Sequence, residues 1–375
     1  MKQNEALDFI VIGAGIAGLS AAAELAEHAK VLVLEREQHP GYHATGRSAA
    51  YFAPAYGNET VRALSAACEG FFTTPPNTFT NVPLMRPRQV IFVGRHDQRD
   101  AISALAAEVE QLRLIDGAEV YSRVPILNQD YVACGLLGKS GGDLDVDALL
   151  QGYRRQLKAR GGILLTATKV EAMEFEQGRW SVKTTKGSFS APSVVNAAGA
   201  WADQVAALAG ADPLNIQPKR RTAMLVDLSA EFEFADWPLV VDVDEQFYLK
   251  PNAGQLLLSP ADETPSEPCD AQADEFDIAV AIDRISRATS LEVSHIKHRW
   301  AGLRSFAPDH TFVVGQDSRR EGFFWLAGQG GYGVQSAPAL AQLTSHLLTQ
   351  STLGGDFKDI AAYKQAVSPE RFSKD

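Results

Sequence analysis

The stretch Phe9-Ile-Val-Ile-Gly-Ala-Gly-Ile-Ala-Gly18 decides the fold of this 375-residue chain. Its first four residues are apolar and end at a glycine, which predicts a short buried strand. Residues 16–28 are rich in alanine and leucine and predict a helix, and residues 30–34 (KVLVL) predict a second buried strand. A strand, a helix and a strand in this order form a βαβ unit.

The glycines of this stretch indicate a bound dinucleotide. Gly13, Gly15 and Gly18 follow the pattern GxGxxG, and Glu35 ends the second strand. Such glycines permit a tight turn, a close approach to a pyrophosphate and close packing of the helix, while the acid can accept hydrogen bonds from a ribose diol. The N-terminus of the helix also attracts phosphate charge. The alternative is a tight turn in a unit that has no ligand.

Composition and charge exclude several classes of protein. Hydrophobic residues make up 45 % of the chain, charged residues 22 %, and the net charge is −11, which argues against nucleic acid as the main partner. Cys68, Cys134 and Cys269 are far apart, so neither a zinc site nor a disulfide framework is indicated. The uncharged run 9–23 is too short to span a bilayer, and acidic residues precede it where a signal peptide is basic. We expect a cytoplasmic protein with no integral membrane segment and leave peripheral attachment to the inner membrane open.

Further elements follow along the chain. We predict helices at 58–72, 97–112, 145–160, 274–289 and 336–348, and strands at 87–93, 130–137, 193–198, 294–302 and 322–327. Residues 163–185 predict a strand meander, and residues 222–259 are rich in strand-forming residues. Pieces of a dinucleotide-binding fold therefore lie at both ends of the chain, with other material between them.

The stretch 41–56 (GYHATGRSAAYFAPAY) follows the second strand and offers little to an apolar core. Its small residues permit close backbone approach, Thr45 and Ser48 supply hydroxyls, and Arg47 supplies positive charge. An NAD enzyme would continue here with alternating strands and helices, so this segment favours FAD. The alternative is a flexible, solvated loop.

These motifs together resemble the FAD-dependent D-amino-acid oxidase superfamily. Within it the chain is most similar to bacterial D-amino-acid dehydrogenases of the D-arginine dehydrogenase type. The resemblance covers essentially the whole chain and returns at "VVNAAGAWAD", "QPKRRTAM", "FYLKPNAG", "WAGLRSFAPD" and "EGFFWLAGQGGYGVQ". The first glycine motif occurs in many flavoproteins, whereas the last three segments are much more specific.

The resemblance implies an α/β fold in which a Rossmann-like FAD-binding domain is interleaved with an α+β substrate domain built on an antiparallel sheet. The expected FAD-binding domain comprises residues 1–80, 140–215 and 310–375, and the substrate-binding domain comprises 81–139 and 216–309. FAD is expected to be non-covalent, because no cysteine falls in a matched flavin-contacting motif. The implied FAD-binding residues are Gly13, Gly15, Ile16, Ala17, Gly18, Glu35, Arg36, Thr45, Gly46, Arg47, Ser48, Ala49, Val170, Ala198, Gly199, Gly330, Gly331, Tyr332, Gly333 and Gln335.

A second group of residues is predicted to face the substrate. Arg304 is a lone cation among apolar neighbours, and a sheltered guanidinium pairs with a carboxylate, either that of a substrate or that of a buried acid. The resemblance implies that Arg304 binds the substrate carboxylate. It also implies that Tyr248 donates a hydrogen bond to the same carboxylate and that Arg221 supplies a second positive charge. Tyr56 is expected to close the pocket over the substrate, and Gly331 is expected to lie beside these residues in the active site.

The implied activity is oxidation of D-amino acids to imino and 2-oxo acids, with hydride transfer from Cα to flavin N5 and a neutral substrate amine. We expect a dehydrogenase whose electron acceptor is not O2; the acceptor is not identified by the sequence, and a quinone and an electron-transfer protein are the candidates. The alternatives are a glycine or sarcosine type of amine oxidase that uses O2, and a flavin-binding protein without turnover.

Two departures from the arginine-oxidising relatives bear on the substrate. Those relatives carry a glutamate in the stretch that corresponds to residues 86–90, where Gln89 is the nearest candidate here, and Arg86 and Arg88 would repel a cationic side chain if they faced the pocket. Because of the sequence at 86–90, we expect neutral or apolar D-amino acids to be favoured over D-arginine and D-lysine. Tyr51 stands where the relatives have a histidine beside the active site, so any role of that imidazole is absent here.

Overall fold

The computed structural model describes residues 6–229 and 231–372. The strands are β1 (Phe9–Ile12), β2 (Val31–Leu34), β3 (Tyr51–Phe52), β4 (Met85–Pro87), β5 (Val90–Gly94), β6 (Leu112–Asp116), β7 (Cys134–Gly138), β8 (Gly142–Leu144), β9 (Ile163–Leu165), β10 (Val170–Glu176), β11 (Arg179–Thr184), β12 (Gly187–Ala191), β13 (Ser193–Asn196), β14 (Gln217–Val226), β15 (Leu239–Asp242), β16 (Tyr248–Asn252), β17 (Gln255–Ser259), β18 (Thr264–Pro265), β19 (His298–Phe306), β20 (Val313–Gln316) and β21 (Phe323–Ala327). The α-helices are α1 (Ile16–Leu25), α2 (Glu59–Ala66), α3 (Glu69–Thr73), α4 (Arg99–Glu108), α5 (Gly117–Arg123), α6 (Val146–Ala159), α7 (Ala202–Leu208), α8 (Glu275–Ala288) and α9 (Gly333–Thr349).

A mostly parallel sheet is built from strands at both ends of the described chain, in the order β20-β21-β13-β1-β2-β9. β1 pairs in parallel with β2 and β13, and β20 pairs antiparallel with β21 at one edge. Phe9 and Val11 pack into one core with α1, α6 and α9, whereas Ile10 and Ile12 pack into another with α7 and Trp180 of β11. The central strands are apolar on both faces because both faces are covered.

A second, largely antiparallel sheet has the order β18-β14-β17-β16-β15-β5-β7-β6, and β19 also pairs with β14. One of its faces packs on helix α8 through a core that contains Met224, Leu249 and Ile285. The opposite face carries Ala223 and Tyr248, and this face borders the cavity described below.

The α/β fold with a Rossmann-like unit and an interleaved antiparallel sheet is confirmed, while the predicted domain boundaries stay a prediction. Several elements differ from the sequence-based expectation. The helix expected at 58–72 is divided into α2 and α3, and β9 of the expected meander pairs with β2 in the parallel sheet. The helix expected at 97–112 ends at Glu108, and an edge strand, β6, follows it. The strand expected at 294–302 lies instead at His298–Phe306, because it pairs with β14 from Gln217↔Phe306 to Leu225↔His298.

No helix of the described residues is both long enough and apolar enough to cross a bilayer.

Candidate cofactor and substrate site

A cavity of about 550 Å³ lies where the ends of the parallel strands meet the open face of the antiparallel sheet. Its lining draws on segments that are distant in sequence. The predicted site residues that line it are Gly13, Gly15, Ile16, Ala17, Glu35, Arg36, Thr45, Arg47, Ser48, Ala49, Val170, Ala198, Gly199, Arg221, Tyr248, Arg304, Gly330, Gly331 and Gly333.

The glycine motif forms a close-packed cradle at one end of the cavity. Gly13 has φ +104°, and a Cβ placed on it would lie 2.4 Å from the carbonyl oxygen of Ala197. A Cβ on Gly18 would lie 1.9 Å from the carbonyl oxygen of Gly13. Any side chain at either position would therefore push the turn, α1 and the end of β13 apart, which explains why glycines are needed here.

Glu35 and Thr45 fix the backbone of this cradle. The Glu35 carboxylate is buried and accepts hydrogen bonds from the backbone N–H of Ala14 at 2.7 Å and of Glu37 at 2.8 Å. The Thr45 Oγ1 accepts from the backbone N–H of Ile16 at 3.0 Å, in the first turn of α1. The hydrogen bond from Ile16 to Thr45 attaches segment 41–50 directly to the glycine motif. The Glu35 carboxylate lines the cavity, and its oxygens can accept further hydrogen bonds there.

The polar atoms that remain without a partner show that the cavity suits a polar ligand. Within the described part of the chain, Ser305 Oγ and Gln329 Nε2 are buried and have no hydrogen-bond partner, and both residues line the cavity. Buried polar groups are normally satisfied. A glycine cradle at a helix N-terminus, together with unpaired donors further along, fits the phosphates and the ring system of FAD.

Arg304 and Gly331 also line the cavity, and Tyr56 lies against them. The Arg304 Nη1 donates to the Tyr56 hydroxyl at 3.5 Å, and no described carboxylate lies within 4.0 Å of the guanidinium. A Cβ on Gly331 would lie 3.0 Å from Arg304 Nη1 and 3.3 Å from Tyr56 Cε1. The loop that carries Gly331 is held to β19 by the Gly330 N–H, which donates to the Ser305 carbonyl at 2.9 Å. The glycine thus leaves room for the guanidinium.

Charges around Arg304 keep it cationic. Burial acts to lower the pKa of Arg304, but Tyr56, Tyr248 and the more distant Glu245 and Glu263 raise it above its ordinary value. Burial raises the pKa of Tyr56, and the nearby guanidinium opposes this only in part, so the phenol is neutral at physiological pH. The site therefore presents a permanent cation and a neutral hydroxyl, which together suit an anionic ligand.

Arg221 also lines the cavity, but its charge is already paired. Its Nε donates to the Asp262 carbonyl at 2.7 Å, and its Nη2 lies 3.1 Å from Glu263 Oε1. Arg221 therefore contributes less free positive charge to the cavity than the sequence alone indicates.

Five predicted site residues do not line the cavity: Gly18, Gly46, Tyr56, Tyr332 and Gln335. Gly18 packs on Gly13, and the Gly46 N–H donates to the Gly41 carbonyl. Tyr332 lies behind Tyr56, with ring centroids 5.0 Å apart, and Gln335 bonds the backbone of Ala53. Their roles at the site stay predictions.

Several residues that line the cavity are absent from the predicted site. Tyr42 and His43 lie in the stretch 41–56, Trp201 lies in VVNAAGAWAD and Gln329 lies in EGFFWLAGQGGYGVQ, but none of the four is predicted to bind. Lys169, Glu171, Cys269 and Ala271 have no signal in the sequence, because only tertiary packing brings them to the cavity.

Residues 86–89 do not line the cavity, so the expected repulsion of cations by Arg86 and Arg88 does not apply directly. Arg86 is exposed and pairs with Asp236 at 2.9 Å. Arg88 is buried and pairs with Asp143 at 2.6 Å, and Gln89 accepts a hydrogen bond from Arg123.

Comparison with known proteins assigns the family. Residues 8–347 match the DAO family of FAD-dependent oxidoreductases. The chain is 24 % identical to the glycine oxidase of Pseudomonas putida over 356 residues, which cover 91 % of this chain and 94 % of that protein. Among solved structures it is similar to L-proline dehydrogenase from P. horikoshii, with a TM-score of 0.81, 22 % identity and 96 % and 99 % of the two chains covered.

L-α-glycerophosphate oxidase from Mycoplasma pneumoniae, solved with FAD bound, is similar with a TM-score of 0.82 and 18 % identity, over 92 % of this chain and 95 % of that one. The glycine cradle, the match over most of the chain and the shared fold agree with one another. The protein is therefore a member of the DAO family of FAD-dependent oxidoreductases, and FAD is its cofactor.

Proposed function

We propose that this protein is an FAD-dependent dehydrogenase of the D-arginine dehydrogenase type that oxidises D-amino acids to imino acids, which water hydrolyses to 2-oxo acids and ammonia. The observation that carries the proposal is Arg304. It faces the cavity, is surrounded by two tyrosines and a glycine, and has no described carboxylate within 4.0 Å. A guanidinium left without an anion inside a cofactor cavity is suited to bind a substrate carboxylate.

Binding and orientation are the work of the protein side chains. FAD, when bound, supplies the acceptor for the hydride that leaves the substrate Cα. Arg304 can hold the substrate carboxylate at two oxygens, and the Tyr248 hydroxyl can donate to the same group. Tyr56, which lies against Arg304, closes the pocket. A carboxylate fixed in this way restricts the orientation of the neighbouring Cα–H bond.

The substrate amine must be neutral for its lone pair to form the C=N bond as the hydride leaves. The carboxylates among the described lining residues are Glu35 and Glu171, and neither lies within 4.0 Å of the Arg304 guanidinium. The permanent charge of Arg304 disfavours a second cation beside it, and so favours the neutral amine. We therefore expect no side-chain base to be required.

The wall beside Tyr248 supports a preference for neutral side chains. An apolar cluster includes Ala223, Tyr248 and Leu257, with Tyr51 and Val241 packed against it. Such a surface gains free energy from burying apolar substrate carbons and offers no partner to a guanidinium or an ammonium group. The preference for the D form rests on the sequence resemblance.

The test is anaerobic mixing of purified holoenzyme with a panel of D- and L-amino acids, followed by the loss of yellow flavin absorbance. We expect rapid bleaching by neutral and apolar D-amino acids, and slower bleaching by D-arginine and by L-amino acids. Dominant activity with D-arginine would overturn the predicted side-chain preference. No bleaching by any D-amino acid would overturn the proposed function.

A second candidate is an amine oxidase acting on glycine or sarcosine with O2 as acceptor. It is favoured by the similarity to glycine oxidase over nearly the full length of both chains. Production of hydrogen peroxide under air with glycine or sarcosine distinguishes it from a dehydrogenase, which should instead reduce a quinone or an electron-transfer protein.

A further inference from the structure

Residues 266–273, between β18 and α8, cross the edge of the FAD cavity, which Cys269 and Ala271 help to line. Arg47 fastens this segment. Its Nη1 donates to the Ala271 carbonyl at 2.7 Å and to the Ala301 carbonyl at 3.1 Å, and its Nη2 pairs with Asp270 Oδ1. One guanidinium therefore joins the segment 41–50, strand β19 and residues 266–273.

Tyr42 completes the arrangement. Its ring lies against the guanidinium, with Arg47 Cζ 5.1 Å from the ring centroid, and its hydroxyl donates to Asp270 Oδ2 at 3.2 Å. Both carboxylate oxygens of Asp270 are thus engaged, one by Arg47 and the other by Tyr42. The Arg47 guanidinium holds the pKa of Asp270 below its ordinary value, so the carboxylate is ionised at physiological pH.

Asp270 differs from Arg47 and Tyr42 in its position relative to the cavity. Arg47 and Tyr42 line the cavity, whereas Asp270 does not and has a side chain that is 49 % exposed. It can affect FAD only through the residues it holds. We propose that Asp270 is a positioning residue for the cofactor, which fixes Arg47, Tyr42 and residues 266–273 against the cavity and so slows the release of FAD.

A different role for Arg47 would change FAD release in the opposite direction. If Arg47 instead served to bind the FAD phosphates, Asp270 would compete with them for its guanidinium, and removing the carboxylate would tighten FAD binding. The direction of the change in FAD release therefore separates the two roles without reference to the substrate or to catalysis.

The experiment is the Asp270→Asn variant, which keeps the shape of the side chain and removes its charge. The rate of FAD release is read from the rise in flavin fluorescence after dilution of holoenzyme into FAD-free buffer. We expect release about 3- to 10-fold faster than in the wild type, as loss of a charge-assisted hydrogen bond at a partly exposed site implies. The matched control is Glu267→Gln in the same exposed segment, for which we expect the wild-type rate.

Two further variants separate positioning from a general loss of stability. Tyr42→Phe keeps the ring and removes the hydroxyl that binds Asp270, so FAD release should accelerate by a smaller factor. In an Arg47→Ala background, Asp270→Asn should add little, because the two residues act as one unit. Unchanged or slower release in Asp270→Asn, or equal acceleration in Glu267→Gln, would overturn the proposal whether or not D-amino acids are substrates.

Discussion

Two sheltered arginines of this protein differ in what surrounds the guanidinium. Arg88 pairs with Asp143 at 2.6 Å and donates to the carbonyls of Ala235 and Trp237. Arg304 donates to the Tyr56 hydroxyl at 3.5 Å and has no described carboxylate within 4.0 Å. Arg88 lies between β4 and β5 and Arg304 lies within β19, and the partners of both guanidinium groups are visible only in three dimensions.

The comparison shows that the presence of a carboxylate partner distinguishes an arginine with a structural role from one that can bind a ligand. The Asp143 carboxylate also binds Lys250 Nζ at 2.6 Å, so the Arg88 region is an internally satisfied network. Removing one member leaves other charges buried and unpaired, which destabilises the fold. In the part of the chain that the structure describes, Arg304 has no such network, so its removal should impair function more than stability.

The largest expected effect is that of Arg304→Ala on catalysis. Loss of two charge-assisted hydrogen bonds to the substrate carboxylate should lower kcat/KM for D-amino acids by about 10²- to 10⁴-fold. FAD content, measured from the absorption spectrum, should stay at the wild-type level. Arg304→Lys should recover part of the loss, because an ammonium keeps the charge without the planar fork. Unchanged kinetics would mean that Arg304 is structural, like Arg88.

The next effect is that of Asp143→Asn on stability. The substitution leaves Arg88 and Lys250 buried without their shared carboxylate, and should lower the free energy of unfolding by about 3–5 kcal/mol. Urea denaturation at a fixed excess of FAD measures the change. The control is Arg86→Gln, whose exposed partner is Asp236, and it should leave the stability unchanged. A stable Asp143→Asn protein with impaired kinetics would instead place this network in the active site.

Tyr51→Phe tests whether Tyr51, which lies between the Arg88 network and the Arg304 site, belongs to the substrate pocket. The Tyr51 hydroxyl donates to the Arg88 carbonyl at 2.7 Å, while its ring packs near Tyr248 on the cavity side. We expect a loss of about 1 kcal/mol in the free energy of unfolding, since one buried carbonyl loses its donor. The ratio of kcat/KM for apolar and cationic D-amino acids should not change, because the ring remains. A changed ratio would make the hydroxyl part of the substrate pocket.

The smallest expected effect is that of Tyr56→Phe. Its hydroxyl lies at the outer limit of hydrogen bonding to Arg304, so kcat/KM should fall by only about threefold. Because burial raises the pKa of Tyr56 above its ordinary value, the phenol stays protonated through neutral and mildly alkaline pH. The pH profile of kcat/KM should therefore keep its shape in this variant. A lost ionisation in the neutral range would show that Tyr56 takes part in proton transfer.

The local pattern of the chain is sufficient to predict the βαβ unit that builds part of the cavity. Gly13, Gly15 and Glu35 stand within one βαβ unit, so their mutual positions follow from strand and helix geometry. The helix Val146–Ala159 was likewise readable, because Asp145 caps it by accepting from the Ala148 N–H at 2.8 Å. Local hydrogen bonds of this kind depend on neighbours in sequence and can be predicted from them.

Other parts could not be read because their partners are distant in sequence. The edge strand β6 is not predicted by the sequence pattern, since only its pairing with β7 defines it. The ion pair of Arg47 is formed with Asp270, which is 223 positions away in the chain. Arg86 and Arg88 are two residues apart, yet one is exposed and the other buried.

The sequence by itself determined the dinucleotide-binding unit, the cofactor class and the identity of the arginines and tyrosines available for a substrate. Only the tertiary structure decided which of those charges are compensated: Arg88 and Arg221 have carboxylate partners, and Arg304 has none within 4.0 Å among the described residues. The physical reason is that backbone turns and helix caps are set by neighbours within a few residues. The free energy of a buried charge depends on every group within several ångströms, whatever its place in the chain.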